Sequence, residues 1–193
     1  MECPTPERSD PMTPVDLPAG IDPRKIRIIM LCEALPEDPA DYFYTSRDSL
    51  YVTNTVAAFN QAGIAVESIE DIVKLGVYLT AAVKAPREGL VVPAAVIKAH
   101  SAALEAELDL FPNVRAILLM GDAAIKALNV IAKRTTGARV IPAGSTYKIR
   151  GGTFCYGDIR VFPSYLQTGR NFLIEKAKQR MVAEDIRSAF ALL

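Results

Sequence analysis

The sequence predicts a three-layer α/β/α domain whose central sheet is mainly parallel and has four strands. Four short apolar segments, which begin at Ile26, Val77, Val114 and Ile159, have strand length and alternate with helical patterns. Strands separated by helices are joined by right-handed crossovers and therefore run parallel. The length of 193 residues fits one domain of this kind.

The first predicted strand and helix follow a proline-rich start. Residues 1–24 contain six prolines and are predicted to be a flexible tail, while residues 25–193 form the single domain. Ile26–Leu31 is an apolar run typical of a buried strand. Asp48 or Ser49 is expected to cap a helix that runs to Asn60, which Gly63 ends.

A second strand and two further helices are predicted in the middle of the chain. Ser68 and Asp71 have the spacing of a capping box, which indicates a short helix that ends near Gly76. Val77–Val83 is the second strand, and Pro93 precedes a helix. One face of that helix carries Ile97, Ser101, Leu104 and Leu108.

The last third of the chain completes the predicted sheet. Val114–Met120 is the third strand, and a helix that begins at Asp122 directs Ile125, Leu128 and Ile131 inward. A hairpin with the arms Tyr147–Arg150 and Thr153–Tyr156 is expected around Gly151-Gly152, and Ile159–Phe162 is the fourth core strand. The segment 172–193 is expected to form a closing helix with four inward residues: Ile174, Met181, Ile186 and Phe190.

Composition predicts a cytosolic protein without a metal centre. Lys and Arg balance Asp and Glu at 22 each, so no overall field attracts polyanions. The three cysteines, Cys3, Cys32 and Cys155, are scattered and lack metal-ligand spacing. Cys32 is expected to be a small buried residue. The sequence shows no membrane-spanning run and no signal segment, so a membrane partner is not expected.

Ligands of parallel sheets bind where the strands end, and two segments there resemble known motifs. The segment 31–38 (LCEALPED) follows the first strand and resembles the Gly-Glu-Ala-Pro-Gly motif of the uracil-DNA glycosylase superfamily. The segment 162–171 (FPSYLQTGRN) follows the fourth strand and resembles the family's His-Pro-Ser motif with its Thr-Gly-Arg continuation. The segment 78–84 (YLTAAVK) and Arg150-Gly151 are also similar to family segments, so the resemblance spans residues 25–190.

The resemblance implies an enzyme that flips a modified base out of DNA and hydrolyses its N-glycosidic bond. Such a site needs a carboxylate near the sugar, for which Glu33 and Asp38 are the candidates, with Glu37 as the alternative to Asp38. A pocket for the base would include an aromatic residue that stacks on it, either Phe43 or Tyr42. The remaining residues expected at this pocket are Leu35, Pro36, Ala81 and Phe162.

Two polar groups of the family are missing from this sequence. Ala81 stands where the family has an Asn that reads the base, and Phe162 stands where it has a His that stabilises the leaving anion. Asn54 and Asn60 are expected to be surface or capping residues. The cysteines of iron–sulfur branches are also absent, because Ala85 and His100 stand at two of their positions. No cofactor and no metal are therefore expected.

The segment after the fourth strand has the composition of a DNA-backbone site. A hydroxyl, a permissive glycine and a guanidinium precede a predicted helix, which suits phosphate contacts. Six Lys and Arg against three Asp and Glu lie between residues 160 and 187, and Lys84 and Arg87 could extend the basic patch. The candidate DNA-binding residues are Pro163, Ser164, Thr168, Gly169, Arg170 and Asn171.

Three functions remain open at this stage. The first is a DNA N-glycosylase for repair with altered or reduced activity. The second is a domain of the same fold that binds DNA or a nucleotide without cutting it. The third is a flavin or nucleotide enzyme on a similar sheet, which the absence of a Gly-rich phosphate loop after the first strand disfavours.

Overall fold

The computed structural model describes residues 16–193, which form a central sheet with helices on both faces. The strands are β1 (Ile28–Leu35), β2 (Val77–Pro86), β3 (Ala116–Met120), β4 (Phe154–Tyr156) and β5 (Ile159–Ser164). The helices are α1 (Leu50–Gln61), α2 (Ile69–Lys74), α3 (Ala94–Leu108), α4 (Asp122–Thr136), α5 (Thr146–Ile149) and α6 (Lys176–Phe190).

The strand order is β2-β1-β3-β5-β4. β1 runs parallel to β2 and β3, and β3 runs parallel to β5. The predicted α/β/α class and mainly parallel sheet are confirmed. The predicted count of four strands is wrong within residues 16–193, because the short strand β4 pairs antiparallel with β5 and adds a fifth.

The added strand arises from a hairpin whose turn differs from the predicted one. β4 and β5 are joined by Gly157-Asp158, and Gly157 has φ +58°, a conformation that favours glycine in a tight turn. Gly151-Gly152 instead follows α5, where the first arm of the hairpin was expected. The sequence pattern therefore indicated a hairpin in the correct region, and its second arm contains β4, but the turn was expected at Gly151-Gly152 and lies at Gly157-Asp158.

Each face of the sheet is covered by its own apolar cluster. On one face, α3 and α4 bury Ile97, Leu104, Ile125, Leu128 and Ile131. On the other, α1, α2 and α6 bury Val52, Phe59, Ile69, Ile72, Val182, Ile186 and Ala189. The central strands β1 and β3 are buried on both faces, which explains why they read as continuous apolar runs.

The starts of α1 and α2 follow the predicted caps, whereas the start of α6 does not. The Ser49 hydroxyl accepts a hydrogen bond from the backbone N–H of Val52, and that of Ser68 accepts one from Asp71. The closing helix begins at Lys176 and not at residue 172, and Ile174 is 76% exposed, so its predicted inward position is wrong. Residues 171–174 form turns anchored by the buried Phe172 ring.

The edge strand β2 is shielded by an aromatic side chain. The Tyr44 hydroxyl donates to the backbone oxygen of Leu79 and accepts from its N–H, both at 2.9 Å. Its ring stacks on Tyr78 with centroids 6.1 Å apart. Burial raises the pKa of the Tyr44 phenol well above its usual value, so the hydroxyl keeps its proton. Strand addition at this position would require that contact to break.

The start of the described chain packs on the domain. Most of the predicted tail, residues 1–15, lies outside the described residues. Leu17 and Ile21 contact the α3–α4 cluster, and the backbone oxygen of Arg24 accepts a hydrogen bond from Asn113 at 2.8 Å. No helix in residues 16–193 has both the length and the apolar character needed to cross a bilayer.

Phe59 offers a test of the second apolar cluster. Its buried ring meets the Phe190 ring edge-on at 6.0 Å and ties α1 to α6. Phe59→Ala is expected to lower the free energy of unfolding by about 3–5 kcal/mol, because it removes buried apolar area and leaves a cavity. Urea denaturation measures this, with the exposed Leu75→Ala as the control. A loss no larger than the control's would contradict the packing.

Candidate functional site

The carboxyl ends of β1, β3 and β5 surround a pocket of about 390 Å³. Glu33 from β1 and Gly121 after β3 form one wall, and the segment after β5 forms a second wall. The lining residues are Glu33, Gly121, Asp122, Thr146, Ser164, Tyr165, Leu166, Gly169, Arg170, Asn171, Phe172, Glu175 and Lys178. The pocket thus lies at the carboxyl ends of the parallel strands, where such sheets bind their ligands.

Both oxygens of the Glu33 carboxylate are engaged by neighbouring groups. Oε1 accepts from the backbone N–H of Ala123 at 3.1 Å, at the start of α4, and Oε2 lies 3.2 Å from Arg87 Nη1. The positive end of the α4 dipole also favours an anion there. Gly121 has φ +105°, and a Cβ at this position would lie 2.6 Å from Glu33 Oε1. Only glycine therefore leaves room for the carboxylate.

Arg87 joins this wall of the pocket to the loop after β2. Its Nε donates to the backbone oxygen of Gly89 at 3.1 Å, and its Nη2 donates to that of Leu90. With the Glu33 contact, all three guanidinium nitrogens have protein partners. Arg87 therefore contributes to the structure of the site and does not offer a free cation to a phosphate.

The second predicted acid lies outside the pocket. Asp38 is exposed, and its Oδ1 accepts from the backbone N–H of Ala40 at 2.9 Å. This contact caps the 3-10 turn Pro39–Asp41. Asp38 has the geometry of a local cap, and Glu33 is the one predicted acid that reaches the pocket wall.

The segment that links β1 to α1 packs against the sheet. The backbone oxygen of Leu35, at the end of β1, accepts from the Arg87 N–H at 3.2 Å, and Pro36 is buried. Phe43 is fully buried, and its ring lies 5.2 Å from both the Tyr42 and Tyr51 rings. Burial raises the pKa of the Tyr42 phenol. These aromatic residues form a packed group, and none of them lines the pocket.

A larger cavity of about 780 Å³ lies between residues 18–21, residues 43–47 and α2. Phe43 is on its wall, but neither Glu33 nor the segment after β5 reaches it. The predicted stacking residue and the predicted acid therefore line different cavities.

The two positions where the sequence lacks polar groups are buried in apolar surroundings. Ala81 is fully buried in β2 and pairs with Cys32 of β1. Phe162 packs in the same cluster as α6, and the Arg160 guanidinium lies 4.6 Å from the centre of its ring. Neither residue lines the pocket, so neither presents a group to a ligand there.

Ser164 is held by a buried network that the sequence did not reveal. Its hydroxyl donates to Asp185 Oδ2 at 2.6 Å, and Arg150 Nη2 donates to Asp185 Oδ1 at 2.8 Å. Burial raises the pKa of the Asp185 carboxyl, and the Ser164 and Arg150 contacts partly oppose that shift. The signal for it was an acid at an inward position of α6, next to Val182 and Ile186. Because the Ser164 proton is committed to Asp185, this side chain is not available to donate to a phosphate.

Pro163 is accommodated in β5 because its nitrogen, which carries no hydrogen, faces a side of the strand where no neighbouring strand is paired with it. The N–H of Arg160 donates to the Arg115 oxygen on the β3 side, so alternation turns the Pro163 nitrogen to the other side. There the pairing with β4 ends at Val161. The proline therefore removes no ladder hydrogen bond.

The loop after β5 is held in place by a side chain of α1. Asn54 Nδ2 donates to the backbone oxygens of Gln167 at 3.0 Å and Gly169 at 3.1 Å. Asn54 is fully buried, so its predicted surface position is wrong. Asn60 is a local cap, as predicted, because it bonds the backbone of Val66.

Gln167 covers the buried thiol beneath the loop. Its Nε2 lies 3.3 Å from Thr55 Oγ1 and 3.3 Å from Cys32 Sγ. The predicted burial of Cys32 is confirmed. Burial also raises the pKa of the Cys32 thiol to about 12, so the thiol stays protonated at neutral pH.

Arg170 is the cation on the pocket wall that is least engaged by other protein groups. It is exposed, as is Asn171, whereas Thr168 is buried. Within residues 16–193 Arg170 forms no ion pair, while Lys178 pairs with Glu175 at 2.7 Å. Lys178 Nζ also lies 5.8 Å above the Tyr165 ring. The pocket therefore offers one uncommitted guanidinium and one shared ammonium.

Lys84 does not extend this basic surface. Its ammonium pairs with the buried carboxylate of Glu107 and donates to Thr80 Oγ1 at 2.6 Å. The Tyr78 hydroxyl donates to the same carboxylate at 2.7 Å. Burial lowers the pKa of Lys84, which the Glu107 charge partly offsets. This group is a buried polar network between β2 and α3.

No protein-family model and no curated protein matches this chain. Within residues 16–193 the structure also contains no group of three or more His, Cys, Asp or Glu side chains that could hold a metal ion.

The cover over Cys32 predicts a reactivity change. In a Cys3→Ser, Cys155→Ser background, native Cys32 is expected to resist a maleimide at pH 8 and to react fully in urea, because it is buried and protonated. Gln167→Ala should raise the native labelling rate at least about tenfold, since it removes the carboxamide over the sulfur. Thr53→Ala on the outer face of α1 is the control. Equal rates with and without Gln167 would refute this arrangement.

Proposed function

We propose that this chain is a uracil-DNA glycosylase-like domain that binds DNA at the pocket, with a backbone phosphate at Arg170. One observation carries the proposal. Glu33 and the segment around Arg170, which lie far apart in the sequence and resemble two motifs of that superfamily, line the same pocket. A shared pocket is what a common ligand of the two segments requires.

The charges of the pocket favour a phosphate at one side. Arg170 is exposed without an ion pair in the described part of the chain, and the neighbouring Asn171 amide supplies further donors. Glu33 and Asp122 lie toward α4, whereas Arg170 lies on the segment after β5, where the charge of Glu175 is paired with Lys178. A phosphate therefore fits against the segment after β5, and the uncharged part of a nucleotide fits toward β1.

DNA binding has more support than base excision, because the two polar groups with which the family recognises the base and stabilises the leaving anion are missing. Ala81 and Phe162 are apolar and lie outside the pocket wall. Glu33 uses both oxygens on Ala123 and Arg87. A pocket without buried hydrogen-bond partners for a base edge selects weakly between bases.

A charge-removal experiment tests the binding proposal. Arg170→Ala is expected to weaken binding of a fluorescent single-stranded oligonucleotide about tenfold at low salt, because one phosphate contact is lost. The slope of log K against log salt should fall by about 1. Fluorescence anisotropy over a salt series measures both. Arg24→Ala is the control and should have no effect, because Arg24 is exposed and precedes β1, at the amino-terminal ends of the parallel strands. Equal effects of the two variants, or no binding by the wild type, would reject the proposal.

Base excision is the second candidate, and the position of Glu33 favours it. Its carboxylate is 12% exposed and lies on the wall of the proposed nucleotide pocket. Cleavage of an N-glycosidic bond leaves a cationic sugar, which a fixed carboxylate stabilises. In that case the preferred base is not uracil, because the family's Asn and His are replaced.

A lesion panel distinguishes the two candidates. Oligonucleotides that carry uracil, hypoxanthine or xanthine are incubated with the protein, and alkali-labile abasic sites are measured on a gel. If excision occurs, Glu33→Gln should slow it about 100-fold or more while keeping the hydrogen bond from Ala123. The exposed Glu37→Gln is the matched control. No release from any lesion by a wild type that binds DNA would exclude excision of these bases and leave the binding proposal standing.

A further inference from the structure

The cavity of about 780 Å³ between residues 18–21, residues 43–47 and α2 is called the edge cavity. Tyr44 stands on its wall, and the hydroxyl of Tyr44 bonds the backbone of Leu79 in the edge strand β2. The edge cavity shares no lining residue with the pocket at the strand ends. Its volume lies within the range of about 300–1,000 Å³ that is typical of sites for small organic ligands.

Part of the wall of the edge cavity is apolar and fixed. Phe43, Val52 and Ile69 line it and belong to the buried cluster on the α1 side of the sheet. The Tyr44 ring is held by the two hydrogen bonds of its hydroxyl to Leu79. Because these side chains are already immobilised, an apolar ligand that contacts them orders little of the protein.

Two of the charged residues around the edge cavity neutralise each other. Lys74 Nζ lies 3.3 Å from Asp71 Oδ1, and Asp71 Oδ2 accepts from the backbone N–H of Glu67 at 3.1 Å. The hydrogen bond from Glu67, with those from Ser68 and Lys74, lowers the pKa of the Asp71 carboxyl. Asp71 therefore stays ionised at neutral pH, and its pair with Lys74 adds no net charge to the cavity.

The other charged residues around the edge cavity are two acids and one base. Glu67, Glu70 and Arg47 line it, are exposed, and form no ion pair within residues 16–193. Two negative charges and one positive charge leave a net negative charge. Acids near a helix start also interact with the helix dipole, so these charges alone define no site. Their position on a cavity with an apolar wall is what selects the class of ligand.

We propose that the edge cavity binds a small organic cation with an apolar body, of the arylalkylamine class. The aromatic body lies against the wall formed by Phe43 and Ile69, where it loses contact with water. The ammonium group lies at the rim, near the carboxylates of Glu67 and Glu70. A carboxylate ligand of the same shape meets a net negative rim and binds more weakly. The site uses other residues than the proposed DNA binding and does not depend on it.

Three probes that share one aromatic ring test the charge and the place of binding. Phenethylamine is the cation, phenylpropionate is the anion and phenethyl alcohol is neutral. Each is titrated into the full chain, and methyl NMR signals report the affinity and the residues that respond. Phenethylamine is expected to shift the signals of Ile69 and Val73 and not that of Leu166, which lines the other pocket. It should bind about tenfold or more tightly than phenylpropionate.

Charge-removal variants test the two acids. Glu67→Gln/Glu70→Gln is expected to weaken the binding of phenethylamine about fivefold, because two exposed charges are lost while the side-chain shape is kept. Binding of phenethyl alcohol should change less than about twofold. The matched control is Glu37→Gln/Glu88→Gln, which removes two exposed charges outside the edge cavity. Thermal unfolding of each variant verifies that the fold is intact.

Several results would overturn the cation site. Equal affinities for phenethylamine and phenylpropionate would show that the rim charges do not select the ligand, and an unchanged affinity in the Glu67→Gln/Glu70→Gln variant would show the same. Shifts at Leu166 in place of Ile69 would assign the amine to the other pocket. No response to any probe would also reject the site. A dimer in sedimentation velocity that buries Ile69 and Val73 would identify the cavity as an interface between copies instead.

Discussion

The contact between the Glu33 carboxylate and the first turn of α4 is the constraint on which the site depends. It joins β1 to the helix that follows β3, and it also engages Arg87 after β2. Three neighbouring strands thereby meet at one side chain. Gly121 makes the contact possible, because its φ of +105° and missing Cβ leave the space that the carboxylate fills. The positive end of the helix dipole compensates for taking an acid partly out of water.

The contacts of Glu33 hold the pocket in shape, but they also restrict the carboxylate, because both of its oxygens already have partners. A carboxylate with two fixed partners is well oriented toward a cation, but it has little capacity left to accept a proton from water. The second wall is held in a similar way, since Asn54 supports the loop at Gly169 and Asp185 holds Ser164. Both walls are therefore preorganised by buried polar contacts, which suits a site that binds a ligand without large rearrangement.

The sequence predicted those parts of the fold that depend on local patterns. The Ser49 and Ser68 caps and the buried strands were predicted correctly, because the relevant partners lie within a few residues or follow from apolar periodicity. The turn of the hairpin and the start of α6 were missed, since they depend on whether Gly151-Gly152 or Gly157-Asp158 forms the turn and on the anchoring of Phe172. The same limit applies to the site. The pairing of Ser164 with Asp185, and of Asn54 with the loop after β5, joins residues that no spacing rule connects.

The charges of the folded chain are less available to a ligand than their number in the sequence indicates. The basic excess between residues 160 and 187 indicated a broad phosphate surface, yet several cations are used inside the protein. The Arg160 guanidinium donates to the backbone oxygens of Gly152 and Phe154, and Lys178 pairs with Glu175. Fewer free cations mean fewer released counterions, so electrostatics alone gives this chain only weak affinity for nucleic acid. For the proposed DNA binding, contacts that do not depend on charge must then supply the rest of the affinity.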